Sequence, residues 1–313
     1  MNPSAFSRRR LLAKGALALS ALSLIKAQNP TIIEEVISAR SNQRQHHLCM
    51  TCGTQFPATF GPPKECPICL DERQYVGLDG QQWTTLEKMR RGGWRNVYRG
   101  QGPNLIGIGT EPKFGIGQRA LLLRTPQGNV LWDCISYLDE QTVAAIQNLG
   151  GISAIAISHP HYYTSMIEWS QAFGNAPVYL HESDRQWVIR PDKCIEFWSG
   201  ETKSIGDGLT LLRTGGHFVG FQVLHWRDGA GGGGALLAGD QPQVAADRNW
   251  VSFMYSYPNF IPLNRPAIER IVRVLAPYEF DRLYGPFWQS IVSANAKEVV
   301  KRSADRYLKA IRG

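Results

Sequence analysis

The chain has 313 residues, 43% of them hydrophobic, 19% charged and 31 glycine, which excludes a disordered or fibrous protein and allows a large core in one to three domains. The formal charge of +8 does not mark a nucleic-acid partner. Arg8, Arg9, Arg10, Lys14 and Lys26 precede the first acid, Glu34; setting those five aside leaves about +3 for the body, with no RNA-binding signature and no basic stripe interleaved with aromatics.

Residues 1–28 read as a targeting segment. Ser7-Arg8-Arg9-Arg10-Leu11-Leu12 is followed by Lys14 and an apolar stretch over 15–25. That stretch is too short to span a bilayer, so no stable membrane insertion is expected, and its charged-then-apolar layout suits an export signal. The adjacent arginines resemble a twin-arginine signal, which implies export to the periplasm. A mitochondrial presequence, or an extension without an address on a cytoplasmic protein, is the alternative. Residues 29–47 read as a polar linker with a short helix at 31–39 and solvated His46-His47.

Two knuckles follow, Cys49-Met50-Thr51-Cys52-Gly53 and Cys66-Pro67-Ile68-Cys69, with 13 residues between them. Each can present two thiolates from one tight turn, and Gly53 gives the backbone the freedom to make it. The spacing points to a structural metal in a zinc ribbon over 48–72, zinc ahead of iron on ligand type. Two disulfides or a rubredoxin-like iron are the alternatives. A segment of about 25 residues has no core of its own, so the metal would close it. Residues 73–104, with Trp83, Trp94, Tyr98 and a helical turn at 86–91, read as a connector to a main domain over 105–313.

In that domain, 120–124 and 130–134 flank Pro126-Gln127-Gly128-Asn129 as a hairpin. Residues 139–149 form an amphipathic helix opening after Asp139 and stopped by Gly150-Gly151. The apolar run 152–157 reads as a buried strand ending in His159-Pro160-His161, and a helical stretch rich in Met, Ile and Trp comes next. Further strands are expected at 178–180, 209–212, 221–226, 235–238 and 282–284, with Gly229 to Gly234 as a flexible hairpin loop and helices at 265–275 and 294–311. Strands interleaved with helices indicate an α/β domain with helices outside its sheets.

Three strand ends offer ligands: His159 with His161, then His217 after Thr214-Gly215-Gly216, then Asp240 after Gly239. Ligands in open α/β sheets sit at such carboxyl ends, and neutral imidazole is the commonest metal ligand near pH 7. The motifs Ser158-His159-Pro160-His161, Gly215-Gly216-His217 and Leu237-Ala238-Gly239-Asp240 resemble those of the metallo-β-lactamase superfamily over roughly 106–284. That resemblance implies an αββα sandwich with metal held in loops at one edge; the four cysteines in front are similar to the knuckles fused to some members. The chain departs from the pattern where the superfamily continues its first motif with Asp and His: here stand Tyr163 and Thr164. The region after the last core strand, Gly285-Pro286-Phe287-Trp288-Gln289, carries no histidine either.

The resemblance therefore implies one catalytic metal on His159, His161 and His217 with an open position, and Asp240 completing the shell or orienting a water. Tyr163, with Tyr162 beside it, is a candidate donor to a developing oxyanion, against plain aromatic packing. His181 is a weaker candidate, His225 reads as structural, and Cys134 and Cys194 as buried hydrophobes. The function expected is hydrolysis of an ester, thioester or lactam small molecule with zinc at both centres. An iron persulfide-type dioxygenase on His159, His217 and Asp240, or a non-catalytic protein on the same fold, are the alternatives. The aromatic loops 187–198 and 250–262 are expected to line the substrate pocket.

Overall fold

The computed structural model describes residues 43–311, so the targeting segment and the helix expected at 31–39 lie outside the described residues. The described residues divide into one unit of 43–45 with 59–61 and another of 46–58 with 62–311. In the described part of the first, Thr59 Oγ1 donates to the carbonyl of Gly61 and the Arg44 guanidinium stacks on Phe60.

The cysteine module comes first in the chain. β1 (Gln45–Cys49) and β2 (Gln55–Thr59) are followed by the one-turn helix α1 (Pro67–Leu70), then β3 (Trp83–Thr85) and α2 (Leu86–Arg91). The sheet order is β2-β1-β3, with Leu48 opposite Thr84 and Cys49 opposite Trp83. Two expectations change here. His46 and His47 are strand residues rather than solvated linker: His47 is buried, and the Nδ1 of His46 bonds to the carbonyl of Phe56. Residues 83–85, expected in a connector, complete the module's own sheet.

A seven-stranded sheet follows, made of β4 (Arg95–Gly102), β5 (Leu105–Glu111), β6 (Ala120–Leu123), β7 (Val130–Trp132), β8 (Ala154–Ala156), β9 (Val178–His181) and β10 (Ile195–Trp198). They lie side by side in chain order, antiparallel from β4 to β7 and parallel from β7 to β10. The sheet thus begins at Arg95, ahead of the boundary expected at 105. Parallel neighbours need crossovers: α3 (Glu140–Gln147) links β7 to β8, α4 (Met166–Ala172) links β8 to β9, and a 3₁₀ segment (Glu182–Trp187) lies between β9 and β10. Asp139 caps α3 by accepting from the Thr142 N–H at 2.8 Å.

The second sheet takes β11 (Thr202–Gly206), β12 (Leu209–Arg213), β13 (Gln222–Trp226) and β14 (Ala235–Leu237). Two short hairpins, β15 (Gln243–Val244) with β16 (Val251–Ser252) and β17 (Met254–Ser256) with β18 (Ile261–Pro262), interrupt it. After α5 (Arg265–Leu275) it is completed by β19 (Arg282–Tyr284) and β20 (Ile291–Val292), and α6 (Ala296–Ala310) ends the fold.

Alternation along the strands sorts the core into three layers. Leu121, Leu123 and Trp132 from the first sheet meet Leu211, Leu224 and Leu237 from the second. Their neighbours Leu122 and Leu131 point the other way, onto Ile146 and Trp169 of α3 and α4. Leu212, Val223 and Leu236 likewise pack on Ile268, Ile271 and Val299 of α5 and α6. This is an αββα sandwich, with each fully buried Leu or Val worth roughly 1.5–3 kcal/mol relative to exposure. Among the described residues no helix is long and apolar enough to cross a membrane.

Candidate metal centres

The first centre is local. Cys49 ends β1; Gly53, at φ +84°, turns the chain so that its N–H returns to the Cys49 carbonyl at 2.8 Å. On the other knuckle, the N–H groups of Cys69 and Leu70 both reach the carbonyl of Cys66 at 3.0 Å. The four buried thiols meet across the knuckles, Cys49 Sγ 3.5 Å from Cys69 Sγ and Cys52 Sγ 3.7 Å from Cys66 Sγ. A tetrahedron of Zn–S bonds near 2.3 Å has edges of about 3.8 Å, so the donor set fits such an ion. Hydrogen bonding among the four pulls the Cys49 thiol down, while contact with Cys49 pushes Cys52 and Cys69 up. Four thiolates cannot form together in a buried site without a cation between them.

The second centre gathers three strand ends. β8 delivers Ser158 and His159, and a 3₁₀ turn over Pro160–Tyr162 brings in His161. β12 leads to Gly215 and Gly216, both at positive φ, and so to His217. β14 leads through Gly239 to Asp240; a Cβ on Gly239 would fall 2.5 Å from Ser158 Oγ, so this approach requires glycine. One donor atom from each of His159, His161, His217 and Asp240 lies within 4.8 Å of all the others. His217 Nε2 stands 3.2 Å from His161 Nδ1, and His159 Nε2 stands 3.2 Å from Asp240 Oδ2. Tetrahedral Zn–N and Zn–O bonds near 2.0–2.1 Å require edges of about 3.3 Å.

Outer partners fix His159, His217 and Asp240. The Tyr255 carbonyl can only accept, so His217 donates to it from Nδ1 at 2.6 Å and keeps its Nε2 lone pair for the site. Asp133 Oδ1 accepts from both the N–H and the hydroxyl of Ser158 at 2.7 Å, leaving Ser158 Oγ to accept from His159 Nδ1 at 2.8 Å. His159 Nε2 and His161 Nε2 are buried without a hydrogen-bond partner among the described residues. Tyr162 donates its hydroxyl to Asp240 Oδ1 at 2.6 Å, and Tyr257 donates to the Asp240 carbonyl at 2.8 Å.

Burial keeps all three imidazoles neutral: it pulls His159 down, pulls His161 well down with help from the neighbouring histidines, and takes His217 to about 3. Burial works to raise Asp240, yet the His159 and His217 rings beside it and the Tyr162 hydroxyl hold it below the usual carboxylate range. Neutral rings beside an ionised carboxylate are the donor set a divalent cation needs. A cavity of about 270 Å³ opens over the site, lined by His161, His217, Asp240, Gln243, Tyr257 and Phe287, and by Thr51, Arg73, Gln74 and Tyr75 of the cysteine module.

The sequence of the Bacillus subtilis (strain 168) protein described as uncharacterized protein YmaE is 54% identical over 267 residues, 85% of this chain and 97% of that one. The chain belongs to the YmaE family. No family model matches it. Among solved structures, this chain is similar in fold to the DIM-1 metallo-β-lactamase, with a TM-score of 0.54 and 15% identity over 69% of this chain and 98% of that one. VMB-1 gives 0.53 and 15% at the same coverage. The fold is that of the metallo-β-lactamases.

Other expected site residues fall elsewhere. Tyr163 does not reach the centre: its ring is buried in the core of the first sheet and borders a separate small cavity with Thr54, Gln55 and Trp187. The hydroxyl that meets the candidate ligands is that of Tyr162. His181 bonds the Gly200 carbonyl and packs on Trp198, His225 bonds the Glu279 carbonyl, and Cys134 and Cys194 are buried core thiols. Of the aromatic loops, 250–262 contributes Tyr257 and Pro258 to the cavity; 187–198 contributes none, since Trp187 packs on Phe218 and 195–198 is the edge strand β10. Asp133, which sequence reading passed over, closes an apolar strand as His159 does, and the same strand-end rule identifies it.

Proposed function

We propose that the chain is a metal-dependent hydrolase that holds one catalytic metal at His159, His161, His217 and Asp240 and opens an ester, thioester or lactam bond of a small molecule. A second, structural metal sits at the four cysteines, with zinc at both. The observation that carries this reading is the meeting of three neutral imidazoles and one carboxylate beneath an open cavity, with His159, His217 and Asp240 each oriented from behind. When bound there, a divalent metal supplies Lewis acidity and brings the pKa of water towards about 7.

The protein's own share is positioning and proton handling. Ser158 and the Tyr255 carbonyl fix two ring tautomers, so those imidazoles need no reorganisation on binding. Tyr162 occupies Oδ1 of Asp240, which leaves Oδ2 as the carboxylate oxygen that would hold the metal. Tyr163 and Thr164, where the superfamily pattern has Asp and His, support a single catalytic metal. The dioxygenase alternative uses His159, His217 and Asp240 without His161; here His161 Nδ1 faces His217 Nε2, and a four-residue set suits hydrolysis better.

Elemental analysis of the purified protein is expected to find two metals per chain. In a His159→Ala/His217→Ala variant that number should drop to one, and hydrolysis of p-nitrophenyl acetate or a chromogenic lactam should fall about a thousandfold, the several kcal/mol that a catalytic metal supplies. Two bound metals without turnover of any ester, thioester or lactam would instead select the non-catalytic alternative.

A further inference from the structure

The last turn of the cysteine module joins the two candidate metal centres. Cys69 closes the second knuckle, and Asp71, Glu72 and Arg73 come just after it. Arg73 is only 8% exposed, and a buried guanidinium needs partners for its charge and its donors. Its Nε and Nη2 fork onto the Asp71 carboxylate at 2.6 and 2.8 Å. The remaining arm, Nη1, donates to the carbonyl of His217 at 3.3 Å. The guanidinium also lies 4.0 Å from the Phe218 ring centroid, 5.1 Å from that of Trp187 and 5.2 Å from that of Tyr255. Trp187 in turn packs on the cysteine cluster.

A second connection runs through Glu72. Its carboxylate accepts from the Tyr255 hydroxyl at 2.6 Å, and the backbone carbonyl of that same tyrosine accepts from His217 Nδ1 at 2.6 Å. Asn259 Nδ2 pins the turn itself, donating to the carbonyls of Glu72 at 2.8 Å and Gln74 at 3.0 Å. Two consecutive residues of the module thus hold one imidazole from its backbone and from its ring. Losing the outer partners of a metal ligand costs about 10–100-fold in affinity. Here those partners stand three and four residues beyond Cys69, in a module too small to keep its shape without an ion.

We infer that Glu72 and Arg73 are positioning residues of the histidine centre and couple it to the cysteine centre: an ion on the four sulfurs holds the 71–74 turn, and that turn sets His217 for the second ion. The inference rests on the reading that both centres hold a metal. Such coupling is reciprocal, so each ion tightens the other by the same factor.

The test uses the full chain, stripped by chelator, given one equivalent of zinc and titrated with Co²⁺. With zinc on the sulfurs, shown by the lack of a sulfur-to-cobalt charge-transfer band, the d–d absorption reports the histidine centre alone. The native chain should bind Co²⁺ there about tenfold more tightly than zinc-free Cys49→Ser/Cys69→Ser, a ratio within the usual span of coupling between sites. Arg73→Met should cost the native chain that same factor and have no further effect in the cysteine variant. A side chain that only supported the local fold would weaken both backgrounds alike. Should Arg73→Met fail to fold, Tyr255→Phe, which deletes the hydroxyl held by Glu72, should weaken the native chain and spare the cysteine variant; no loss there overturns the inference. Equal affinity in the native chain and the cysteine variant, or an equal loss from Arg73→Met in both backgrounds, overturns it too. Failure of any chain to take a second ion sinks the two-metal reading along with it, whereas two ions bound independently sink the coupling alone.

Discussion

The cysteine cluster and the histidine centre have donor atoms about equally far from solvent, yet only one of them faces a cavity. At the first, four protein sulfurs satisfy a tetrahedral ion outright, and Thr54 and Gln81 approach two of them from outside. At the second, the donors come from three strand ends, and His161, His217 and Asp240 form the floor of an open space. Burial of the ligands does not distinguish a metal that holds a fold from a metal that reacts; access to the coordination sphere does.

Breaking the closed side should have the larger effect. Structural zinc contributes an apparent ~10–16 kcal/mol to small cysteine modules. A Cys49→Ser/Cys69→Ser variant is therefore expected to lose one metal and to be cut by protease between residues 43 and 85, while helical circular dichroism from the sandwich persists. A metal-free module that still resisted protease would show that the cysteines are mere core residues. On the open side, Tyr162→Phe removes only the hydroxyl at Asp240 Oδ1. Metal affinity by chelator competition should weaken about 10–100-fold, the usual cost of losing an outer partner. Tyr163→Phe, on the neighbouring residue, should leave that affinity unchanged.

The smallest effect lies at Asp184, which falls between His161 and His217 in sequence; its carboxylate accepts from the Gly220 N–H at 2.7 Å. Burial pushes its pKa up to about 6, against that hydrogen bond. The folded value lies above the unfolded one, so its stabilising contribution is complete below about pH 3.9 and is lost as pH rises through about 6. Asp184→Asn has no charge to bury; its melting temperature relative to the native protein should rise between pH 4 and 7, by about 1–2 kcal/mol in stability. A difference that is flat with pH would mean that Asp184 ionises freely in the folded protein.

Much of this was legible in the sequence, because strand ends and knuckles leave short-range marks. An apolar run ending in His-Pro-His, and Gly-Gly-His or Gly-Asp after a strand, describe backbone that must turn where a ligand can sit. Interleaved strands and helices indicate an α/β domain with helices outside its sheets, and the αββα layering is what the superfamily resemblance of those motifs implies. What escaped depends on contacts distant in sequence or on the handedness of a turn. Whether Tyr162 or Tyr163 faces the site is set by the 3₁₀ turn at Pro160, which sends adjacent side chains to opposite sides. Residues 95–102, read as connector, are mostly polar and become a strand only by pairing with β5. Arg73 and Gln74 look like the tail of the ribbon until Asn259, nearly two hundred residues later, ties that tail to the cavity.

The positions of the ligands along the chain carry a consequence for biosynthesis. All four cysteines have left the ribosome once residue 69 is translated and clear of the exit tunnel, whereas the histidine set is incomplete until Asp240 has followed. A nascent chain therefore presents a complete cysteine set well before the histidine set exists, and an ion held by the cysteines would have its site ready first.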